Sequence, residues 1–241
     1  MNKILIYYTN GICKYSTKQS KIFLEKKFKS PVFISNNLDY LDQYSMICIP
    51  GGIGSKFINK LKLRRDDIHN FILNGGTYFG ICCGAYLACN NIHFDDFSKK
   101  GLNLINVDSY GPLFQDPLES KFNINNPKNI KIKSIYDISI KKNYDGYLHG
   151  GGYFNLNQEN LINDFNQRYI YKTIKKHNNN KIILESIYDN GFPAIISKRI
   201  GNGYLILSHI HPEHEYSNLN DTFERIFNSY QINLNNRKWS K

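Results

Sequence analysis

Cys82 stands in the run Tyr78-Phe79-Gly80-Ile81-Cys82-Cys83-Gly84-Ala85-Tyr86, a G-x-C-x-G pattern that closes an apolar stretch and opens a helical one. That is the context of a nucleophile elbow, with sulfur in place of a serine oxygen. A nucleophile in so tight a turn needs bare neighbours, and Gly80 and Gly84 supply the room. The helix that follows offers unpaired N–H groups and its positive end to the sulfur, and both favour the thiolate. Taken alone, the pattern also suits a small buried cysteine. Cys83 lies outside the apex, so its backbone N–H is expected to matter more than its thiol. Cys48 and Cys89 read as core.

A thiolate nucleophile needs a base, and the base needs an orienting carboxylate. Residues 203–213 form an apolar run ending in His211-Pro212-Glu213. His209 and His214 compete for the role of base. His211 is favoured because Pro212 fixes the chain direction and Glu213 follows directly. A third element is Ile49-Pro50-Gly51-Gly52-Ile53-Gly54. A glycine turn after a buried strand lets backbone N–H groups face a ligand. Here the N–H of Gly52 is expected to form one half of an oxyanion hole and that of Cys83 the other. By itself the turn would be an ordinary strand end. Gly51, Tyr86, His149, Gly150 and Gly151 are expected to line a substrate pocket. The alternative for residues 149–152 is a plain turn between two strands.

The elements that must position these groups alternate. Strands are predicted over residues 3–8, 31–35, 45–50 and 77–81. Helices are predicted over 16–28, with Ile22, Phe23 and Phe28 apolar among lysines, over 66–73, with Ile68, Phe71 and Ile72 at helical spacing, and from Gly84 to Cys89. Alternating strands and helices imply a parallel sheet with right-handed crossovers. The second half is richer in strand signals, over 130–140, within 145–154, and over 181–188, 192–200 and 203–208. Asn190-Gly191 and Gly201-Asn202-Gly203 supply turns, and a helix over 219–230 closes the chain. The Asn-rich stretches 123–129 and 177–180 read as loops. With no repeat and no linker, residues 1–241 are expected to form a single domain.

The chain has 241 residues, 41% hydrophobic and 21% charged, which is the range of a globular protein with a sizeable core. Five cysteines at irregular spacing, with no CxxC pair, argue against a disulfide framework and against structural zinc. No metal and no cofactor are expected. Reduced thiols in a cytosol-like compartment are the better reading of these cysteines, so a cytoplasmic location is expected. The opening run is too short and too polar for a signal peptide and reads as a first strand. No apolar run is long enough for a bilayer, so no membrane partner is expected. The net charge is +11, but the lysines are dispersed as separate pairs such as Lys26-Lys27 and Lys175-Lys176. No specific nucleic-acid partner is therefore expected.

The glycine turn, the G-x-C-x-G nucleophile and the late H-P-E, in this order, resemble the class I glutamine amidotransferase superfamily. The resemblance implies a flavodoxin-like three-layer α/β sandwich with a mostly parallel central sheet, to which the second half adds strands. It also implies a Cys82–His211–Glu213 triad. The match is closer still to the N-terminal amidotransferase-like domain of biotin-protein ligases. It is carried by Pro50-Gly51-Gly52, Gly75-Gly76-Thr77-Tyr78-Phe79-Gly80-Ile81-Cys82-Cys83-Gly84-Ala85-Tyr86, Tyr110-Gly111-Pro112, Tyr147-Leu148-His149-Gly150-Gly151-Gly152-Tyr153-Phe154 and His211-Pro212-Glu213. The resemblance implies a stand-alone Cys-dependent hydrolase or amidotransferase. Its partners would be a small-molecule amide or a peptide, with a synthetase or ligase as a possible protein partner. A non-catalytic binding or regulatory module and a cysteine peptidase are the alternatives. Two departures stand out. Glutamine amidotransferases commonly carry Gln four residues after the nucleophile, where this chain has Tyr86. No G-R-G-R-type ligase motif is present, so the resemblance does not extend to biotin transfer.

Overall fold

A computed structural model describes residues 3–95, 97–113, 132–156 and 182–230. In chain order the elements are β1 (Ile4–Tyr7), α1 (Lys14–Phe28), β2 (Val32–Ser35), β3 (Met46–Ile49), α2 (Ile58–Lys62), α3 (Arg65–Leu73), β4 (Thr77–Ile81) and α4 (Cys83–Ala88). Then follow β5 (Asn91–Phe94), β6 (Phe97–Lys100), β7 (Asp108–Gly111), β8 (Ile132–Asp137), β9 (Lys142–Tyr147) and β10 (Tyr153–Asn155). The last elements are β11 (Ile182–Tyr188), β12 (Pro193–Ile200), β13 (Gly203–Ser208) and α5 (Asn220–Ser229).

The large sheet runs β2-β1-β3-β4-β13-β12-β11-β8-β9. The pairs from β2 to β13 are parallel. From β13 outward every pair is antiparallel. The first five positions reproduce the flavodoxin-like order, in which β1 is flanked by β2 and β3 and ligands gather at the carboxyl ends of the strands. Those ends carry Gly51 after β3, Cys82 after β4 and His211 after β13.

Both faces of the parallel half are covered, which is why its strands read as unbroken apolar runs rather than as alternation. Ile4, Ile6, Met46, Cys48 and Phe79 face α1 and α5, where they meet Phe23, Leu24, Phe223, Ile226 and Phe227. Leu5, Tyr7, Ile47, Ile49 and Tyr78 face α2, α3 and α4. In α1 the apolar contact is made by Phe23 and Leu24, while Ile22 is half exposed. The first turns of α1 bury Ser16, Thr17 and Ser20 instead. Small polar side chains thus face inward at the end of the helix nearest the site.

A second sheet, β10-β7-β5-β6, lies beside α4. The sequence reading did not foresee β5, β6 or β7. They are four-residue strands, and β6 is exposed along its whole length, so no alternation marks them. The rings of His93, Tyr110, Tyr153 and Phe192 stack in series across this sheet, with centroid separations of 4.3, 5.6 and 4.3 Å. Phe192 belongs to the hairpin between β11 and β12, so the ladder joins the two sheets. The Asn-rich stretches 123–129 and 177–180 lie outside the described residues. Among the described residues, no helix is long and apolar enough to cross a membrane. No group of three His, Cys, Asp or Glu among them could hold a metal ion.

Candidate active site

Cys82 occupies the single-residue turn between β4 and α4, with φ 48° and ψ −105°. Non-glycine residues rarely take positive φ, and such strain persists only where the surroundings enforce it. Here the Cys82 N–H donates to Ser208 O at 2.7 Å, tying the end of β4 to the end of β13. The carbonyl of Cys82 accepts the N–H groups of Ala85 and Tyr86 and so starts α4. The turn closes only because its glycines carry no side chain. A Cβ at Gly80 would lie 2.6 Å from Gly84 O, and one at Gly84 would lie 2.8 Å from the Ile49 Cβ.

His211 follows β13 and is buried against the sulfur. Its N–H donates to Tyr147 O at 2.9 Å, and its carbonyl accepts the Ser217 hydroxyl at 2.6 Å. Its Nδ1 lies 2.8 Å from Glu213 Oε1, and its Nε2 and the Cys82 sulfur each lie 3.4 Å from the carbonyl oxygen of His149. Burial, the largest influence, pulls the His211 pKa down. The Glu213 carboxylate, hydrogen-bonded to Nδ1, together with the neighbouring Cys82, outweighs it and holds the pKa well above the imidazole range. The other two candidates lie elsewhere. His209 is fully buried, with Nε2 2.8 Å from Ser109 Oγ and its ring against Tyr86 and Phe154. Burial depresses its pKa to about 3. The ring of His214 stacks on that of Tyr147 at 3.7 Å.

Gly51 and Gly52 form the glycine turn beneath the imidazole. Cys13 N–H donates to Gly51 O at 2.9 Å and Ile53 N–H donates to Gly11 O at 2.7 Å. These two bonds flank the Ile12–Gly52 bridge, so the N–H of Gly52 points away from that ribbon. A Cβ at Gly51 would meet His211 Cε1 at 2.7 Å and Cys82 Cβ at 3.5 Å. The N–H of Cys83 belongs to the first turn of α4, where helix geometry provides no acceptor. The thiol of Cys83 is buried and its pKa is pushed well up by that burial, as are those of Cys48 and Cys89.

The remaining expected residues close over the sulfur. The carbonyl of His149 accepts from Cys82 Sγ at 3.4 Å and lies 3.4 Å from His211 Nε2. Gly150 takes φ 64°, which lets the chain turn there. The hydroxyl of Tyr86 donates to Gly150 O at 3.3 Å, and that of Tyr188 donates to Gly152 O at 2.8 Å. Residues 149–152 form a connection between strands, and the carbonyl of His149 brings that connection up to Cys82. They join β9 of the large sheet to β10 of the small one. Gly151 packs against the main chain at His209.

Two participants escaped the sequence reading. One is Ser16, whose hydroxyl donates to Glu213 Oε1 at 2.7 Å and accepts the Gly51 N–H at 3.2 Å. The other is the main-chain carbonyl of His149. Small polar residues on the inward face of α1 were the available signal for Ser16. A backbone carbonyl leaves no signal in residue types.

Known proteins share this framework. A putative GMP synthase subunit from Thermoplasma acidophilum superposes with a TM-score of 0.55 at 14% identity, over 96% of each chain. PurLQS from Thermotoga maritima gives 0.58 at 15% identity, over 97% of this chain and 99% of that one. A glutamine amidotransferase from Thermotoga maritima gives 0.50 at 14% identity, over 97% and 84%. At such identities the likeness concerns the fold, which is that of the class I glutamine amidotransferases. In sequence, an uncharacterized protein of Chlamydia muridarum (strain MoPn / Nigg) is 25% identical over 233 residues, 89% of this chain and 81% of that protein. The family model described as "Biotin-protein ligase, N terminal" matches residues 2–238. The chain belongs to the biotin-protein ligase N-terminal family.

Proposed function

We propose that this amidotransferase-like protein is a Cys-dependent hydrolase that cleaves an amide through an acyl-enzyme. One observation carries the reading. Cys82 is held at φ 48° beside a buried imidazole whose far nitrogen is fixed by a buried carboxylate. A cysteine that served only as core would not need a strained backbone and a charged neighbour.

In this reading His211 Nε2 takes the Cys82 thiol proton, the thiolate Sγ attacks the amide carbon, and the carbonyl π pair moves onto oxygen. The N–H groups of Gly52 and Cys83 stabilise that oxyanion. The intermediate collapses, the C–N bond breaks and the amine leaves with the proton of His211 Nε2. Nε2 then takes a proton from water, whose oxygen attacks the thioester and releases a carboxylic acid and Cys82. Glu213 keeps the Nδ1 proton in place throughout. The substrate displaces the His149 carbonyl, since that group touches both Sγ and Nε2.

The test is covalent. Wild type and Cys82→Ala are incubated with a metabolite extract and read by mass spectrometry. A mass adduct on Cys82 and depletion of an amide, both absent in Cys82→Ala, are expected. Neither adduct nor depletion in wild type overturns the reading.

A second reading, a binding module that keeps the pocket without turnover, is favoured by Tyr86 and by the His149 carbonyl seated on the sulfur. It calls for stabilisation by amides, amino acids or biotin-related compounds that Cys82→Ala leaves unchanged, with no amide consumed.

A further inference from the structure

Ser16 links two parts of the site that the chain keeps far apart. It sits in the first turn of α1, 197 residues before Glu213 and 35 before Gly51. The directions of its two hydrogen bonds follow from chemistry. A carboxylate only accepts, so the hydroxyl proton goes to Glu213 Oε1 at 2.7 Å. A backbone N–H only donates, so the hydroxyl oxygen accepts from Gly51 at 3.2 Å. Glu213 Oε1 also faces His211 Nδ1, while Glu213 Oε2 has no hydrogen-bond partner among the described residues. The hold on this carboxylate therefore runs through one oxygen, shared by Ser16 and His211.

Gly51 is the other end of the link. It backs the imidazole so closely that a Cβ would lie 2.7 Å from His211 Cε1. It also precedes Gly52, whose N–H faces away from the neighbouring ribbon. Ser16 thus braces the base from two sides, through the carboxylate behind Nδ1 and through the glycine beneath Cε1. The segment is fixed in turn, because Cys13 N–H donates to Gly51 O and Thr17 Oγ1 donates to Cys13 O at 2.9 Å.

We propose that Ser16 is a positioning residue for this site, setting the His211–Glu213 pair and the Gly51-Gly52 loop as one unit. The proposal rests on the Cys82 reading above for its catalytic meaning, but its geometry concerns His211 and can be read without any substrate. A merely structural serine would leave the imidazole indifferent to its loss.

The test uses the whole chain as wild type, Ser16→Ala and Ser16→Thr, with two readouts. Nitrogen NMR of the His211 ring reports its titration and the exchange of its Nδ1 proton. Iodoacetamide labelling, with peptide mapping, reports Cys82 across pH. Ser16→Ala is expected to lower the titration midpoint of His211, to speed exchange of its Nδ1 proton and to slow Cys82 labelling roughly tenfold, the size of one lost hydrogen bond to a charged group. Ser16→Thr keeps the hydroxyl and is expected to recover most of each effect. A folded Ser16→Ala with the wild-type His211 titration and the wild-type labelling profile overturns the proposal. A Ser16-dependent His211 titration in a protein that consumes no amide sinks the hydrolase reading and leaves the brace standing.

Discussion

Two buried polar networks sit on the two halves of the large sheet, and they are built differently. On the antiparallel half, Arg225 of α5 reaches Glu185 of β11 at 2.8 Å and Asp137 of β8 at 3.0 Å. Ser197 donates to the other Glu185 oxygen, and the N–H groups of Ser139 and Ile140 donate to Asp137 Oδ1 at 2.9 and 3.0 Å. Every carboxylate oxygen is used, and none of these residues has positive φ. On the parallel half, Cys82 is strained and Glu213 Oε2 has no hydrogen-bond partner among the described residues. The first network is a brace between a helix and two strands, with both carboxylates fully engaged. Each network leaves one buried polar atom without a hydrogen-bond partner among the described residues, Arg225 Nε in the first and Glu213 Oε2 in the second. What sets the second apart is its backbone strain, which is where function tends to concentrate.

The largest effect should come from the first network. Arg225→Leu strips the cation from two buried carboxylates and is expected to cost about 3–5 kcal/mol in urea unfolding. Cys82 labelling in the folded protein should stay as in wild type. A fall in labelling would mean that the two networks are coupled. His211→Asn should behave in the opposite way, slowing Cys82 labelling near neutral pH roughly 10²-fold while costing less stability than Arg225→Leu. Equal labelling in both variants would erase the distinction.

His209 adds a pH-dependent probe close to the site. Its folded-state pKa is about 3, against about 6.5 in the unfolded chain. The unfolded state therefore binds an extra proton between those values, and stability is lost as pH falls through that window. The expected slope from this one group is up to about 1.4 kcal/mol per pH unit. Unfolding midpoints at pH 7, 6 and 5 should fall less steeply in His209→Gln than in wild type. Parallel slopes would show that His209 is not held neutral. The smallest effect is expected from Cys82→Gly, which relieves the backbone and abolishes labelling at this position. Strain of about 1–3 kcal/mol, less the entropic cost of glycine, should leave a gain near 1 kcal/mol. A destabilised Cys82→Gly would mean that the sulfur stabilises the fold as core.

What the sequence made legible follows from what residue types can encode. The parallel half announced itself because its strands are buried on both faces and its helices carry a periodic apolar stripe, as in Ile68, Phe71 and Ile72. Cys82, His211 and Glu213 stood out because few side chains can do their chemistry and glycines or proline frame them. The small sheet stayed hidden because strands such as Phe97–Lys100 bury nothing. Ser16 stayed hidden because its partners are fixed by tertiary structure, with Glu213 197 residues away. Ile22, expected among the apolar residues of α1, points outward because Phe23 and Leu24 already fill the space against the sheet.

The segment over the sulfur is moored at both ends. Tyr147, before it, lies in the stack with His214, and Tyr153, after it, is a rung of the aromatic ladder. A span held at both ends and along its glycines does not swing aside like a door; it can bow only where its ties are longest. The bow falls at His149 and Gly150, the two carbonyls that touch Cys82 and Tyr86. Lifting it opens a slit rather than a mouth. The stiffness of the two ring stacks, one of which packs against His211, then sets how far the span can lift.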